Sequence, residues 1–473
     1  MNPTPETTDH VDVVAGAYAD SVTLLQVSRR VQQVPGVVTA QVAMATPLNV
    51  EVIERMGFAV PPDATVNHLV IAIRLHDDEA RAAATAEVER ALTDSRKQVG
   101  GPSEEAPPRT TGAALRRDPG ALVLVSVPGP SATVEAMDAL EAGSDVMVFS
   151  DNVPIEQEVA LKQYAVARGL LVMGPDCGTA VVGGLGLGFA NVVAPGPVGI
   201  VAASGTGCQQ LLALLDHAGV GVSTAYGVGG RDLSAEVGGL ATRTALDRLA
   251  DDPQVELVVL VSKPPAEEVA RELTAYADDL GTPVHHALLG AGRPDLTAAT
   301  EDVLRALGRE VPDWPVRGRT RDAGHGTGTR LHGLFVGGTM KQEAEVLVAA
   351  AGLSDRAALV DFGDDEYTTG RAHPMIDPTL RLERLAEVAA EPDTGVVLID
   401  VVLGHGAEPD PAATLAPALE GLRPPVVVTV VGTRHDPQGL DRQVDALVAA
   451  GAEVHLSNAG ATRRALEILG GTS

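Results

Sequence analysis

A chain of 473 residues that is 45% hydrophobic exceeds one ordinary core and carries enough apolar material for several. Its net charge of −28, scattered along the sequence with only four lysines among 35 basic residues, repels polyanions, so neither nucleic acid nor an anionic membrane is expected as a partner. Two cysteines make no disulfide framework, no apolar run reaches the roughly 20 residues of a membrane span, and the first ten residues are polar and acidic; together these predict a reduced, cytoplasmic setting.

Aromatic residues at 2% leave the core to Val, Leu, Ile and Ala, a composition suited to parallel sheets covered by helices. Over residues 1–100 the patterning predicts strand 21–27, helix 29–34, strand 36–44, helix 49–56, strand 66–75 and helix 79–92, a small ferredoxin-like α+β domain. Residues 101–119, rich in Pro, Glu and Ser, read as an exposed linker. Strands 122–127, 146–149 and 170–173 follow, each ending in a small-residue loop; the last two loops carry Ser150, Asp151, Asn152 and Gly174, Pro175, Asp176, Cys177. That alternation predicts a Rossmann-like half of a doubly wound sheet over 120–195, with ligands at its carboxyl edge. Residues 196–312, with strands 199–203, 222–227, 257–261 and 284–289, form a first flavodoxin-like unit. After an Arg- and Gly-rich linker at 313–330, strands 333–336, 396–401, 426–431 and 453–456 form a second over 331–473. The two read as a divergent internal repeat, each opening with a strand, a small-residue turn and a helix.

Those turns are Ser204, Gly205, Thr206 and Gly337, Gly338, Thr339. Residues with almost no side chain let an anion reach free N–H groups at a helix start, which predicts phosphate or carboxylate chemistry. The plain alternative is an N-cap with a packing glycine. Cys177 lies at a helix start that would lower its thiol pKa, yet a small residue shaping the loop is the simpler reading; Cys208 reads as core. Lys263 ends a strand where an ammonium would favour phosphate or a substrate carboxylate. His373 and Asp377 stand in a Pro-bounded loop, His405 in a glycine-rich turn, and His285 and His286 within a strand. Arg317, Arg319, Arg321 and Arg330 read as a solvated connection. No metal-ligand spacing is present.

Over about residues 121–466 the chain resembles the succinyl-CoA synthetase superfamily. The likeness rests on Gly174, Pro175, Asp176, Cys177 (its GPNC loop), on 199–206 (GIVAASGT against GIVSRSGT), on 226–232 (YGVGGRD against GIGGD) and on the glycine-rich end of strand 396–406. A narrower likeness, covering nearly the whole chain, is to the FdrA family, through HPMIDP at 373–378 and LGHGAEPDPA at 403–412. The resemblance implies two helix starts converging on a phosphoryl group, with Ser204, Gly205, Thr206 and Gly207 facing Gly404, Gly406 and Ala407. By position, His405 and Lys263 read as candidate catalytic groups, and Asn152, Gly174, Pro175, Asp176, Cys177, His373 and Asp377 as candidate substrate loops, each against a plain structural role. FdrA-type proteins are labelled acyl-CoA synthetases, and a member is implicated with two partner proteins in an oxamate carbamoyltransferase, which turns oxalurate and phosphate into oxamate and carbamoyl phosphate.

The sequence departs from the synthetase pattern in three places. Gly290, Ala291, Gly292, Arg293 replace the phosphohistidine loop, Ser262, Lys263, Pro264, Pro265 replace the glutamate turn, and no glycine-rich CoA loop or ATP-grasp segment is recognised. The expectation is therefore a carbamoyl or acyl transferase subunit that requires no cofactor, uses phosphate as substrate, takes a small carboxylate or ureido acid, and works with two other subunits or a second copy. The alternatives are an acyl-CoA synthetase that uses CoA and ATP or ADP, and a non-catalytic scaffold.

Overall fold

The computed structural model describes residues 7–76, 78–97, 108–319 and 328–470 and divides the chain into two units: 1–107 with 364–378, and 108–363 with 379–473. Residues 101–107 of the first linker, Arg321 and most of the second linker's Gly-rich stretch lie outside the described residues.

The first unit holds a three-stranded antiparallel sheet in the order Thr8–Ala15, His68–Leu75, Val37–Met44, with helices Ser21–Gln32, Pro47–Arg55 and Arg81–Lys97. It is the small α+β domain expected, but its first strand was missed and residues 21–27, read as strand, are helix. Asp20 accepts the Thr23 N–H as N-cap, and Leu24, Val27, Ser28 and Val31 recur at helical spacing on the buried face. Segment 364–378, which the sequence reading left inside the last domain, belongs to this unit. Asn49 Nδ2 donates to the Gly370 carbonyl at 2.9 Å, Arg29 reaches the Ile376 carbonyl at 3.4 Å, and Arg371 pairs with Asp377 at 2.8 Å, both nearly buried.

The second unit opens with helix Thr111–Leu115, capped by Thr110 and burying Leu115, where a bare linker was expected. Strands Val123–Val125, Val146–Val148 and Val172–Met173 then form a small parallel sheet. The hairpin Thr179–Val182/Leu185–Gly188 joins the next sheet, Val181 pairing antiparallel with Ala225. That sheet sets four parallel strands in the order Val284–Leu288, Leu257–Ser262, Val198–Ala203, Val222–Gly227. The last sheet runs Glu453–His455, Val426–Val431, Thr394–Val402, Arg330–Phe335, Ala357–Asp361, again parallel, with Val316–Arg317 of the expected linker as an antiparallel edge.

In both sheets the first strand lies between the second and the third, so the direction of winding reverses there. The carboxyl ends of those two strands make the crevice in which doubly wound proteins take ligands. Thr394–Val402 is buried at every position, as a strand covered on both faces must be, and Asp400 is the one charge in it.

Candidate functional site

The crevices of the two sheets meet. Ser204 caps helix Gly205–His217, its Oγ accepting the Gly207 N–H at 2.9 Å and lying 2.6 Å from Thr339 Oγ1 in helix Gly338–Ala350. A Cβ on Gly337 would stand 2.6 Å from Thr206 Cγ2, so glycine there lets the second helix start touch the first. Among the described residues the amides of Gly205, Thr206, Gly338 and Thr339 find no acceptor, as first-turn N–H groups do when a ligand is to supply one.

Each helix then crosses the carboxyl edge of the other's sheet. Gln210 donates to the Leu456 carbonyl at 3.0 Å and accepts the Asn458 N–H. On the opposite side Glu343 accepts the Leu296 N–H at 2.7 Å and the Asn458 side-chain amide at 2.7 Å. Burial pushes the Glu343 carboxyl up to about 7.

Lys263 follows the third strand of its sheet, half-buried. Its Nζ lies 3.3 Å from where a Cβ on Gly338 would be and 3.7 Å from one on Gly230, a position also 3.6 Å from Asp176 Oδ2. Among the described residues Lys263 makes no side-chain hydrogen bond or ion pair. Asp361 Oδ2 is the other group beside Gly338. Behind the second helix start, Asp400 accepts the N–H groups of Val336 at 2.8 Å and Gly337 at 3.1 Å, and Arg381 donates to its carbonyl and carboxylate. Burial pushes Asp400 up to about 7 and Arg381 down.

The structure thus gathers Ser204, Gly205, Thr206, Lys263 and Asp176 with Gly337, Gly338 and Thr339. Gly207 sits with them, but its amide is used by Ser204. The loop 174–177 is held by Cys177 N–H to the Val148 carbonyl and Asp176 N–H to the Ser150 carbonyl, which leaves Gly174 and Pro175 as its frame. Burial raises both thiols, Cys208 to about 12, so neither is a ready nucleophile. Asn152, at positive φ, is exposed with its carbonyl packed on Gly129.

The turn at Gly404 approaches the same helix further along, the Leu403 carbonyl lying 3.4 Å from the Gln209 side-chain amide, but two of its amides are already taken. The Gly404 N–H goes to Gln438 Oε1 at 3.0 Å and the His405 N–H to the Ala190 carbonyl at 2.8 Å, while Gly406 packs on the Gly188 carbonyl. Those two bonded amides cannot grip an anion, and Gly404, His405 and Gly406 pack on residues 186–191 as a clasp. His373 and Asp377 sit in the first unit: His373 Nδ1 accepts the Met375 N–H and Asp377 holds Arg371. Asp361, Arg381 and Asp400 were missed, and Gly230 was noted only within the motif 226–232; a charge inside the apolar run 394–402 was the readable signal.

Residues 7–108 match the family model described as "AllF, heavy metal-associated domain", and residues 334–468 the one described as "CoA-ligase". Both cysteines of the chain lie outside 7–108, and the described residues hold no cluster of three metal-ligating side chains, so soft-metal chemistry does not fit the first unit. YahF of Escherichia coli is 36% identical over 483 residues, covering 92% of this chain and 93% of its own length. The succinate–CoA ligase (ADP-forming) subunit alpha of Methanothermobacter thermautotrophicus is 29% identical over 174 residues, 36% of this chain and 58% of that subunit. A dinucleotide-forming acetyl-coenzyme A synthetase 1 from Ca. Korarchaeum cryptofilum, solved with phosphate and ADP, aligns over 74% of this chain and 82% of its own at 17% identity and a TM-score of 0.29. Through the relationship with YahF along almost all of both chains, this protein belongs to the FdrA family of succinyl-CoA synthetase-like proteins.

Proposed function

We propose that the protein is an acyl-CoA synthetase-like enzyme subunit that holds phosphate against an acyl carbonyl where Ser204 meets Thr339. The observation that carries this reading is the meeting of two helix starts, with four free amides and an unpaired ammonium in one place. A phosphate oxygen fixed there attacks the carbonyl carbon of an acyl thioester. The C–S bond breaks, the phosphate's proton goes to the departing thiolate, and an acyl phosphate forms. Orientation of the phosphate and N–H donors aimed at the growing oxyanion are what such a step needs, and no bound cofactor enters it. The acyl group is that of a small carboxylic acid carried as its thioester, and further subunits complete the assembly.

A second reading, carbamoyl transfer from a ureido acid such as oxalurate to phosphate, is favoured by two particulars. The turn 290–293 carries no histidine to phosphorylate, and the carbonyls of Asp151 and Asn152 crowd Gly129 at the first helix start of the small parallel sheet, which leaves little room there for an anion such as a CoA pyrophosphate. One assay tests both. The complex is supplied with phosphate and either succinyl-CoA or oxalurate, and the acyl or carbamoyl phosphate formed is read by phosphorus NMR. Phosphate-dependent product in one arm, at least tenfold lower in Lys263→Ala, is expected; product formed without phosphate, or full activity in Lys263→Ala, contradicts the proposal.

A further inference from the structure

We propose that a cavity at the far end of helix Gly205–His217 binds a free α-amino acid with an aliphatic side chain. The helix has 13 residues, which puts the cavity about 20 Å from Ser204 at the usual rise of an α-helix. It encloses about 230 Å³ at the carboxyl ends of strands Val426–Val431 and Glu453–His455, the side of a doubly wound sheet on which ligands sit. Ala213, Val430, Leu440, Val444 and Leu456 give it an apolar wall of a size for a branched alkyl group.

The polar groups at its rim decide the head group. Arg317 is committed to Asp445 at 2.7 Å and His455 to Glu453 at 3.2 Å. His217 bonds the Asp313 backbone, and burial lowers the pKa of both imidazoles, so they stand neutral. Asp441 is exposed in the first turn of helix Leu440–Ala449. What remains is a pair: the Arg434 guanidinium, exposed and without a hydrogen bond or ion pair among the described residues, and the half-buried Asp216 carboxylate, which accepts the Arg434 backbone N–H and feels the Arg434 charge.

A cation and a carboxylate side by side over an apolar wall match a ligand with the opposite charges one carbon apart and an aliphatic body. A plain carboxylate would meet Asp216 and a plain amine would meet Arg434, so each alone gives up one pairing and faces one repulsion.

Trp314, the sole tryptophan, stacks on His217 with ring centroids 6.0 Å apart and reports on the cavity directly. The test is titration of the full chain with L-leucine, 4-methylpentanoate and 3-methylbutylamine, read by Trp314 emission and by calorimetry. Saturable leucine binding is expected, at least tenfold tighter than either half-ligand and at least tenfold weaker in Arg434→Gln and Val444→Phe. Thermal melting of the variants separates lost binding from lost fold, and Asp216→Asn supplies a third, conservative variant. No leucine binding at millimolar concentration, binding that survives Arg434→Gln and Val444→Phe, or equal affinity for 4-methylpentanoate overturns the proposal. Because the readout involves neither phosphate nor turnover, it stands or falls separately from the chemistry proposed at Ser204.

Discussion

Ser204 uses one oxygen twice, to cap its own helix and to touch Thr339 of the other. Ser204→Ala therefore loses an N-cap, about 1 kcal/mol, together with the side-chain hydrogen bond to Thr339, and thermal melting should fall by a few degrees. Gly337→Ala acts by sterics instead. Its Cβ drives into Thr206, both faces being backbone-anchored, and an overpacking cost on the order of 1–3 kcal/mol is expected in a denaturant titration. Glu343 gives a pH signature. Its pKa rises from 4.5 to about 7 on folding, so the protonated form is favoured in the native state. That contribution is fully present below about pH 4.5 and is lost as pH rises through about 7. Stability of the wild type should accordingly decline relative to Glu343→Gln between those values; parallel pH profiles would show that the carboxyl titrates alike in both states.

At the scale of elements, segment 364–378 departs most from its sequence reading. HPMIDP looks like a site loop because it joins a histidine, an aspartate and two prolines. Its aspartate is spent on Arg371, at 8% and 5% exposure, and its neighbours are bonded by Arg29 and Asn49. Asp377→Ala leaves Arg371 buried without its partner, a loss of roughly 3–5 kcal/mol, and limited proteolysis should then cut within 364–378 first. Cleavage unchanged from the wild type would refute this anchoring of 364–378. The misread strand at 21–27 has a similar lesson. β-branched and apolar residues crowd that stretch, but Asp20 and Thr23 set a cap that the alternation count ignores.

Across the molecule, the architecture was legible and the pairing of its halves was not. Continuous apolar runs such as 257–262 and 394–402 announce parallel strands from composition alone, and the repeated strand, small turn and helix announces two related units. Which second turn faces Ser204 depends on long-range packing that no local pattern encodes. The glycines at 404 and 406 resemble an anion loop but serve close approach to residues 186–191, whereas Gly337 and Gly338 do the facing. A fully buried Lys162, bonded to Glu158 and Asp232 at 2.7 Å each, ties helix Ile155–Val166 to the turn that carries Gly230. Lys162→Met removes the cation from buried Asp232 and leaves Glu158 to Arg231 alone, and should cost roughly 3–5 kcal/mol in equilibrium unfolding.

The most direct measurement is calorimetric titration of inorganic phosphate into the wild type, Lys263→Ala and His405→Ala. Binding to the wild type is expected, with at least tenfold weaker binding to Lys263→Ala, equivalent to about 1.4 kcal/mol or more, and wild-type affinity in His405→Ala. Affinity that survives Lys263→Ala and vanishes in His405→Ala would contradict it and return the anion site to the Gly404 turn.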